Sequence, residues 1–167
     1  IATYDENGNP DAMNAAWGGL YDGNKVELCL SAGHKTTKNI RATGAFTVSF
    51  ADAANLVASD YVGLASANTE PKKMEKSGFH LTKSQFVNAP LIDELPVAME
   101  CKLVKINEDG NVIGEIVNVS ADESVLGEDG NIDFSKFRPI SFEPVHNGYH
   151  VLGQRVGNAF QDGAALK

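Results

Sequence analysis

The stretch from Leu30 to Ile40 gathers the residue types that hold an anion. A strand ending at Ser31 would lead into a short loop carrying Gly33, His34 and Lys35, with a helix beginning near Thr36 or Thr37. The first N–H groups of a helix lack partners within it, and the dipole places its positive end there, so such a junction is a ready anion site. Ser31, Thr36 and Thr37 add hydroxyl donors and Lys35 adds a point charge, a set that would satisfy one phosphate monoester. The same stretch reads equally well as an ordinary capped helix with solvated lysines.

A second segment, Asp11 to Gly19, sets the sole tryptophan, Trp17, among Asn14, Ala15, Ala16, Gly18 and Gly19. Small side chains let a planar ligand approach the backbone, whose polar groups can pair with a heteroaromatic edge. By itself, though, such a segment is more often an edge strand with a core tryptophan. Lys73 opens a short charged run after Pro71, and a lysine there is usually solvated. Tyr149 could cover a ring, although a tyrosine in a terminal strand is more often core or interface. No Ser/His/Asp or Cys/His order is present, and Asp122 and Glu123 form no hydrolytic pair. The sequence therefore names no catalytic side chain, and any redox chemistry must come from a bound cofactor.

The elements that would position these residues are short. Turns with Asp/Asn-Gly chemistry fall at Asp5–Pro10, Tyr21–Asn24, Asn107–Asn111 and Glu128–Asn131. Strand-like runs span Lys25–Ser31, Ala45–Phe50, Val97–Ile106 and Val112–Val119, the last two forming the clearest hairpin. Helices are expected over Thr36–Thr43, closed by Gly44, over Ala53–Ser66 with Leu56, Val57, Tyr61 and Leu64 at helical spacing, and over Lys72–Ser77, closed by Gly78. Many short strands with a few inserted helices predict one mainly β domain over residues 1–167, a closed or nearly closed antiparallel barrel.

With 167 residues and a formal charge of −8, the chain is a poor candidate for binding a nucleic-acid backbone. No apolar run approaches the roughly 20 residues of a membrane span. An acidic surface suits solubility or docking to a basic electron-transfer partner. Cys29 and Cys101 each sit in an apolar strand-like run, so both are expected to be buried spectator thiols. The four histidines, His34, His80, His146 and His150, show no metal-ligand spacing. This usage implies a reducing compartment, the cytoplasm. No signal peptide is read in the sequence, which opens at Ile1 rather than Met, and residues upstream of it are expected.

In this order, the segments resemble the flavin reductase-like, FMN-binding split-barrel family, especially its flavoredoxin-like branch. The likeness runs through Tyr4-Asp5, Asn14–Gly18, Ser31–Ile40, Gly44–Ser49, Asp60–Gly63, Lys73–Gly78, Pro96–Cys101, Gly114–Val117 and Tyr149–Gly153, nearly the whole chain. It implies a six-stranded antiparallel Greek-key barrel that dimerises with non-covalent FMN near the subunit interface. It places phosphate and ribityl chain on Ser31, His34, Lys35, Thr36, Thr37 and Asn39, and the ring against Asn14, Ala15, Ala16 and Trp17. Lys73 matches the family's lysine at the start of the short helix, and Tyr149 its C-terminal aromatic near the flavin. Many relatives carry a histidine just after the Gly114–Val117 strand. This chain has Asn118, Val119 and Ser120 there, so no histidine role carries over. The implied activity is an NAD(P)H-dependent flavin or acceptor reductase, with an electron carrier between proteins as the alternative and a non-catalytic flavin-binding barrel as a third reading. The absence of a Gly-x-Gly-x-x-Gly fingerprint means that NAD(P)H would dock only transiently.

Overall fold

In the computed structural model, which describes residues 1–167 apart from the side chain of Ala165, the period-two runs become strands. In chain order they are β1 (Ala2–Tyr4), β2 (Pro10–Ala12), β3 (Gly18–Asp22), β4 (Lys25–Leu28), β5 (Ala45–Ser49), β6 (Leu81–Lys83), β7 (Pro90–Ile92), β8 (Val97–Ile106), β9 (Val112–Ala121), β10 (Ile140–Glu143) and β11 (Gly148–Val151). Three helices interrupt them: α1 (Lys35–Thr43), α2 (Leu56–Leu64) and α3 (Lys73–Ser77).

The main sheet runs β2-β1-β5-β8-β9-β4-β3, and its pairs are antiparallel. It has seven strands where six were expected, because the Asp5–Gly8 turn divides the first segment into two three-residue strands. Strand β4 lies beside β9 rather than β5, so the chain returns by long connections, as in a Greek key. Two small hairpins, β6–β7 and β10–β11, stand apart from this sheet.

The longest hairpin, β8–β9, forms where the alternation and the Asp109-Gly110 turn place it, with Gly110 at φ 90°. One face of the sheet closes over Val26, Leu28, Ile40, Phe46, Cys101 and Val112. Gly114 is required there, since a Cβ on it would overlap the Phe46 ring, and Phe46 is wholly buried. A second cluster, Ala2, Ala12, Val62, Phe79, Ile92 and Leu95, packs α2 and the β6–β7 hairpin onto β1 and β2.

Three expectations need correction. Helix α2 is shorter than Ala53–Ser66, because Asp52 Oδ1 accepts the backbone N–H of Asn55 (2.9 Å) and holds the preceding residues in a turn. Its apolar spacing marks a buried face only in part: Tyr61 packs against the second cluster beside buried Val62 and Ser59, whereas Val57 and Leu64 are exposed. Cys29 is exposed, whereas Cys101 is buried as expected. Leu28 and Leu30 both turn inward, so the extended chain leaves Cys29 facing out.

Candidate functional site

A cavity of about 730 Å³ lies between the main sheet and the β10–β11 hairpin. Val26 and Leu28 of β4, Val48 of β5 and Met99 of β8 supply apolar lining, Val48 and Met99 being register partners. The segment Asn14–Leu20, the end of α2, and β10–β11 complete the wall. Cross-strand pairing sets Phe142 opposite Tyr149. Their ring centroids are 6.0 Å apart, and Phe142 meets Trp17 edge-on at 6.1 Å, so three aromatic rings line one side. The volume falls within the roughly 300–1,000 Å³ of small-molecule sites.

One part of this lining is polar. The Tyr149 hydroxyl donates to Asp60 Oδ1 (2.8 Å) and accepts from Asn14 Nδ2 (3.3 Å). Burial raises the Tyr149 pKa above its ordinary value, reinforced by the Asp60 carboxylate. Helix α2 approaches closely enough that a Cβ on Gly63 would stand 3.0 Å from Asn14 Cβ. Ser49, also in the lining, has a buried hydroxyl with no partner among the described residues, an atom that a polar ligand edge could satisfy.

The expected anion loop leaves the sheet beside Trp17, whose carbonyl accepts the N–H of Cys29 (3.0 Å). Ser31 and His34 are exposed, and Lys35 is half-buried. Helix α1 starts at Lys35 with His34 as N-cap, without a side-chain cap and without an acidic residue in its first turn. Thr37 Oγ1 donates to the Ser31 carbonyl (2.8 Å) and folds the loop back on the helix. Lys35 Nζ lies 3.2 Å from Asp5 Oδ2. Burial raises the Asp5 pKa, but hydrogen bonds from Asn9, Lys35 and Asn7 outweigh it and hold the carboxyl at about 2. Asn68 accepts from Lys38 Nζ (3.1 Å) and donates to the Gly33 carbonyl (3.1 Å), tying the loop to the chain after α2.

Beneath the loop lies a buried polar cluster. Lys73 Nζ is 3.1 Å from Asp11 Oδ1, both side chains being almost fully enclosed, and Thr36 Oγ1 donates to Asp11 Oδ2 (3.2 Å). Asn39 Nδ2 donates to Thr3 Oγ1 (3.0 Å).

The twelve residues singled out in the sequence therefore fall into three groups. Asn14, Ala15, Ala16, Trp17 and Tyr149 share the cavity wall. Ser31, His34 and Lys35 lie outside the cavity lining, in the loop that follows Cys29, whose N–H donates to Trp17, and Thr36, Thr37, Asn39 and Lys73 are buried behind that loop. Asp60 and Phe142 were not anticipated as site residues. Phe142 joins the site only through the pairing of β10 with β11, which sets it opposite Tyr149. A second hollow of about 550 Å³, around Thr43–Ala45, Lys83–Asn88 and Lys102, contains none of the twelve.

Residues 2–141 match the family described as Flavin reductase like domain. Flavoredoxin of Desulfovibrio vulgaris (Miyazaki F) is 35% identical and superposes with a TM-score of 0.92, over 97% of this chain and 89% of that one. Flavoredoxin from Methanosarcina acetivorans is 25% identical with a TM-score of 0.88, over 99% and 89%. A protein with a split barrel domain from Shewanella frigidimarina NCIMB 400 is 21% identical with a TM-score of 0.81, over 94% and 81%, a likeness of fold alone. The curated relatives, uncharacterized proteins of Aquifex aeolicus (strain VF5) and Aeropyrum pernix, are 35% and 24% identical over 42% and 85% of this chain. The matched regions span only 38% and 55% of those proteins' own lengths. The expected mainly β split barrel is thus the fold, and the chain belongs to the flavin reductase like domain family.

Proposed function

We propose that the chain binds FMN in the 730 Å³ cavity and works as an oxidoreductase that passes electrons from NAD(P)H to free flavin or another acceptor. The observation that carries this is an aromatic-lined cavity whose Trp17 is hydrogen-bonded to the chain leading into an uncapped helix N-terminus, on a family scaffold. When bound, FMN would supply the hydride and electron chemistry that no side chain here can. The protein's own contribution is to hold and shield it. Asn14, Ala15 and Ala16 offer small side chains and backbone polar groups to the ring edge, while Trp17, Phe142 and Tyr149 keep water from one side. Backbone N–H groups opening α1, with Ser31, His34 and Lys35, would take the phosphate. Thr36, Thr37, Asn39 and Lys73 hold that loop from behind rather than reaching the cavity wall.

An electron carrier between proteins is the second reading, favoured by the 35% identity to a flavoredoxin over nearly the whole chain. Initial rates of NADH and NADPH oxidation, with and without added flavin, separate the two. Direct turnover by the protein alone supports the reductase, and reduction only through a partner protein supports the carrier. Equal affinity for FMN and riboflavin would remove the loop from the site. Lys35→Ala should weaken FMN binding on the order of tenfold, the scale of one charge-assisted contact. Lys38→Ala should weaken it less, because the Lys38 ammonium is directed to Asn68.

A homodimer belongs to the same proposal. Leu20, Phe50 and Leu64 line the cavity yet remain exposed, and a second copy laid across them would complete the wall. Light scattering should return twice 17.8 kDa. Dilution should release flavin as dimers separate, and a monomer retaining FMN at high dilution would exclude a shared site.

A further inference from the structure

We infer that Asp60 is a positioning residue that sets the charge balance of the cavity, so that the protein holds reduced flavin less tightly than oxidised flavin. The inference rests on the FMN reading above. Among the described residues lining the cavity, Asp60 is the sole acidic side chain. Its hydrogen bond is to the neutral Tyr149 phenol at 2.8 Å, and no cation pairs with it among the described residues. The contrast with other carboxylates is direct: Asp11 is matched by Lys73 at 3.1 Å and Asp5 by Lys35 at 3.2 Å. The negative charge of Asp60 is therefore left to act on the cavity contents, across walls built from Trp17, Phe142 and aliphatic side chains.

A flavin ring that takes up two electrons and one proton gains one unit of negative charge. Repulsion from Asp60 raises the free energy of that form and leaves the neutral oxidised ring nearly untouched. As a general scale, two like unit charges about 10 Å apart at an effective dielectric near 20 repel enough to change an equilibrium constant by a factor on the order of ten. Tyr149 moderates the effect, since its O–H donates into the carboxylate, and Asn14 fixes the phenol from the other side.

The test is a pair of anaerobic FMN titrations, one with oxidised and one with dithionite-reduced FMN, on wild type, Asp60→Asn, Asp60→Glu and Tyr149→Phe, with the midpoint potential of the bound flavin measured alongside. Wild type should bind oxidised FMN more tightly than reduced. In Asp60→Asn that ratio should contract on the order of tenfold and the potential should rise, whereas Asp60→Glu should keep both near wild type. In Tyr149→Phe both affinities fall but the ratio should widen, which decides the matter even if Asp60→Asn does not fold. A ratio and potential unmoved by Asp60→Asn, or by Tyr149→Phe in its place, overturn the inference while leaving the FMN reading intact. Wild-type protein that takes up neither form overturns the FMN reading, and the inference with it.

Discussion

Lys73→Met tests how the loop is held. The Lys73 side chain is 3% exposed and that of Asp11 2%, with Nζ and Oδ1 3.1 Å apart. Methionine fills similar volume but removes the charge, leaving Asp11 buried with the Thr36 hydroxyl at 3.2 Å as its remaining donor. Breaking a buried pair from one side costs about 3–5 kcal/mol, because the surviving charge is neither hydrated nor paired. For a chain of this size each kcal/mol shifts the midpoint by roughly 2–4 °C, so Tm should fall by about 6–20 °C. Circular dichroism melts without flavin measure this directly. The double variant Asp11→Asn/Lys73→Met removes both charges, keeps an acceptor for Thr36, and should be more stable than Lys73→Met alone. Because Asp11 links α3 through β2 to the first turn of α1, the loop should loosen as a unit. Affinity for FMN should then fall more than affinity for riboflavin, which has no phosphate for the loop to hold. A loss below about 1 kcal/mol, or a purely additive double variant, would refute the buried-pair argument.

Three further outcomes follow from the packing. The native protein should react with one equivalent of a thiol reagent per chain, at exposed Cys29, and the second should appear only on unfolding, because burial pushes the Cys101 thiol up to about 12. Burial raises the Glu100 pKa, but hydrogen bonds from Ser120, Ser84 and Asn118 outweigh it and hold the carboxyl below its ordinary 4.5; its stabilisation is thus present above that value and lost as pH falls through the folded pKa. Asp5, at about 2 against an ordinary 3.8, adds a second loss between those values, so urea midpoints should decline below about pH 4.5, and less steeply in Glu100→Gln; a flat profile from pH 6 to 3 would contradict this. Gly114→Ala should cost at least about 1–3 kcal/mol, since the added methyl overlaps the fully buried Phe46 ring, and an unchanged Tm would mean that the ring moves freely.

What could be read in the sequence was what short-range physics determines. The β8–β9 hairpin is set by alternation around one Asp-Gly turn, and α1 by hydroxyl residues at its start and a Gly44 exit, so both stand close to their expected bounds. Cys29 was legible and was misread: a residue between two inward leucines of an extended chain faces out, whatever the hydropathy of its neighbours. Lys73 could not be read that way. Nothing local separates it from exposed Lys72 and Lys76; its partner Asp11 lies 62 positions away, and only the packing of α3 on β2 makes it a buried ion.

The same limit governs the site. Asn14 and Trp17 announce themselves by composition, but the polar corner of the cavity joins Tyr149 to Asp60 across 89 positions and to Asn14 across 135. Asp60 sits in a helix whose apolar spacing marks no single face, because Tyr61 packs on the core, Leu64 lies in a cavity wall and Val57 in solvent. Here Ser59 and Val62 pack inward, while Asp60 and Gly63, three positions apart, share the cavity side. The departure from simple amphipathicity in α2 therefore reflects the cavity on its Asp60–Gly63 side, legible only once the sheet says which side is which.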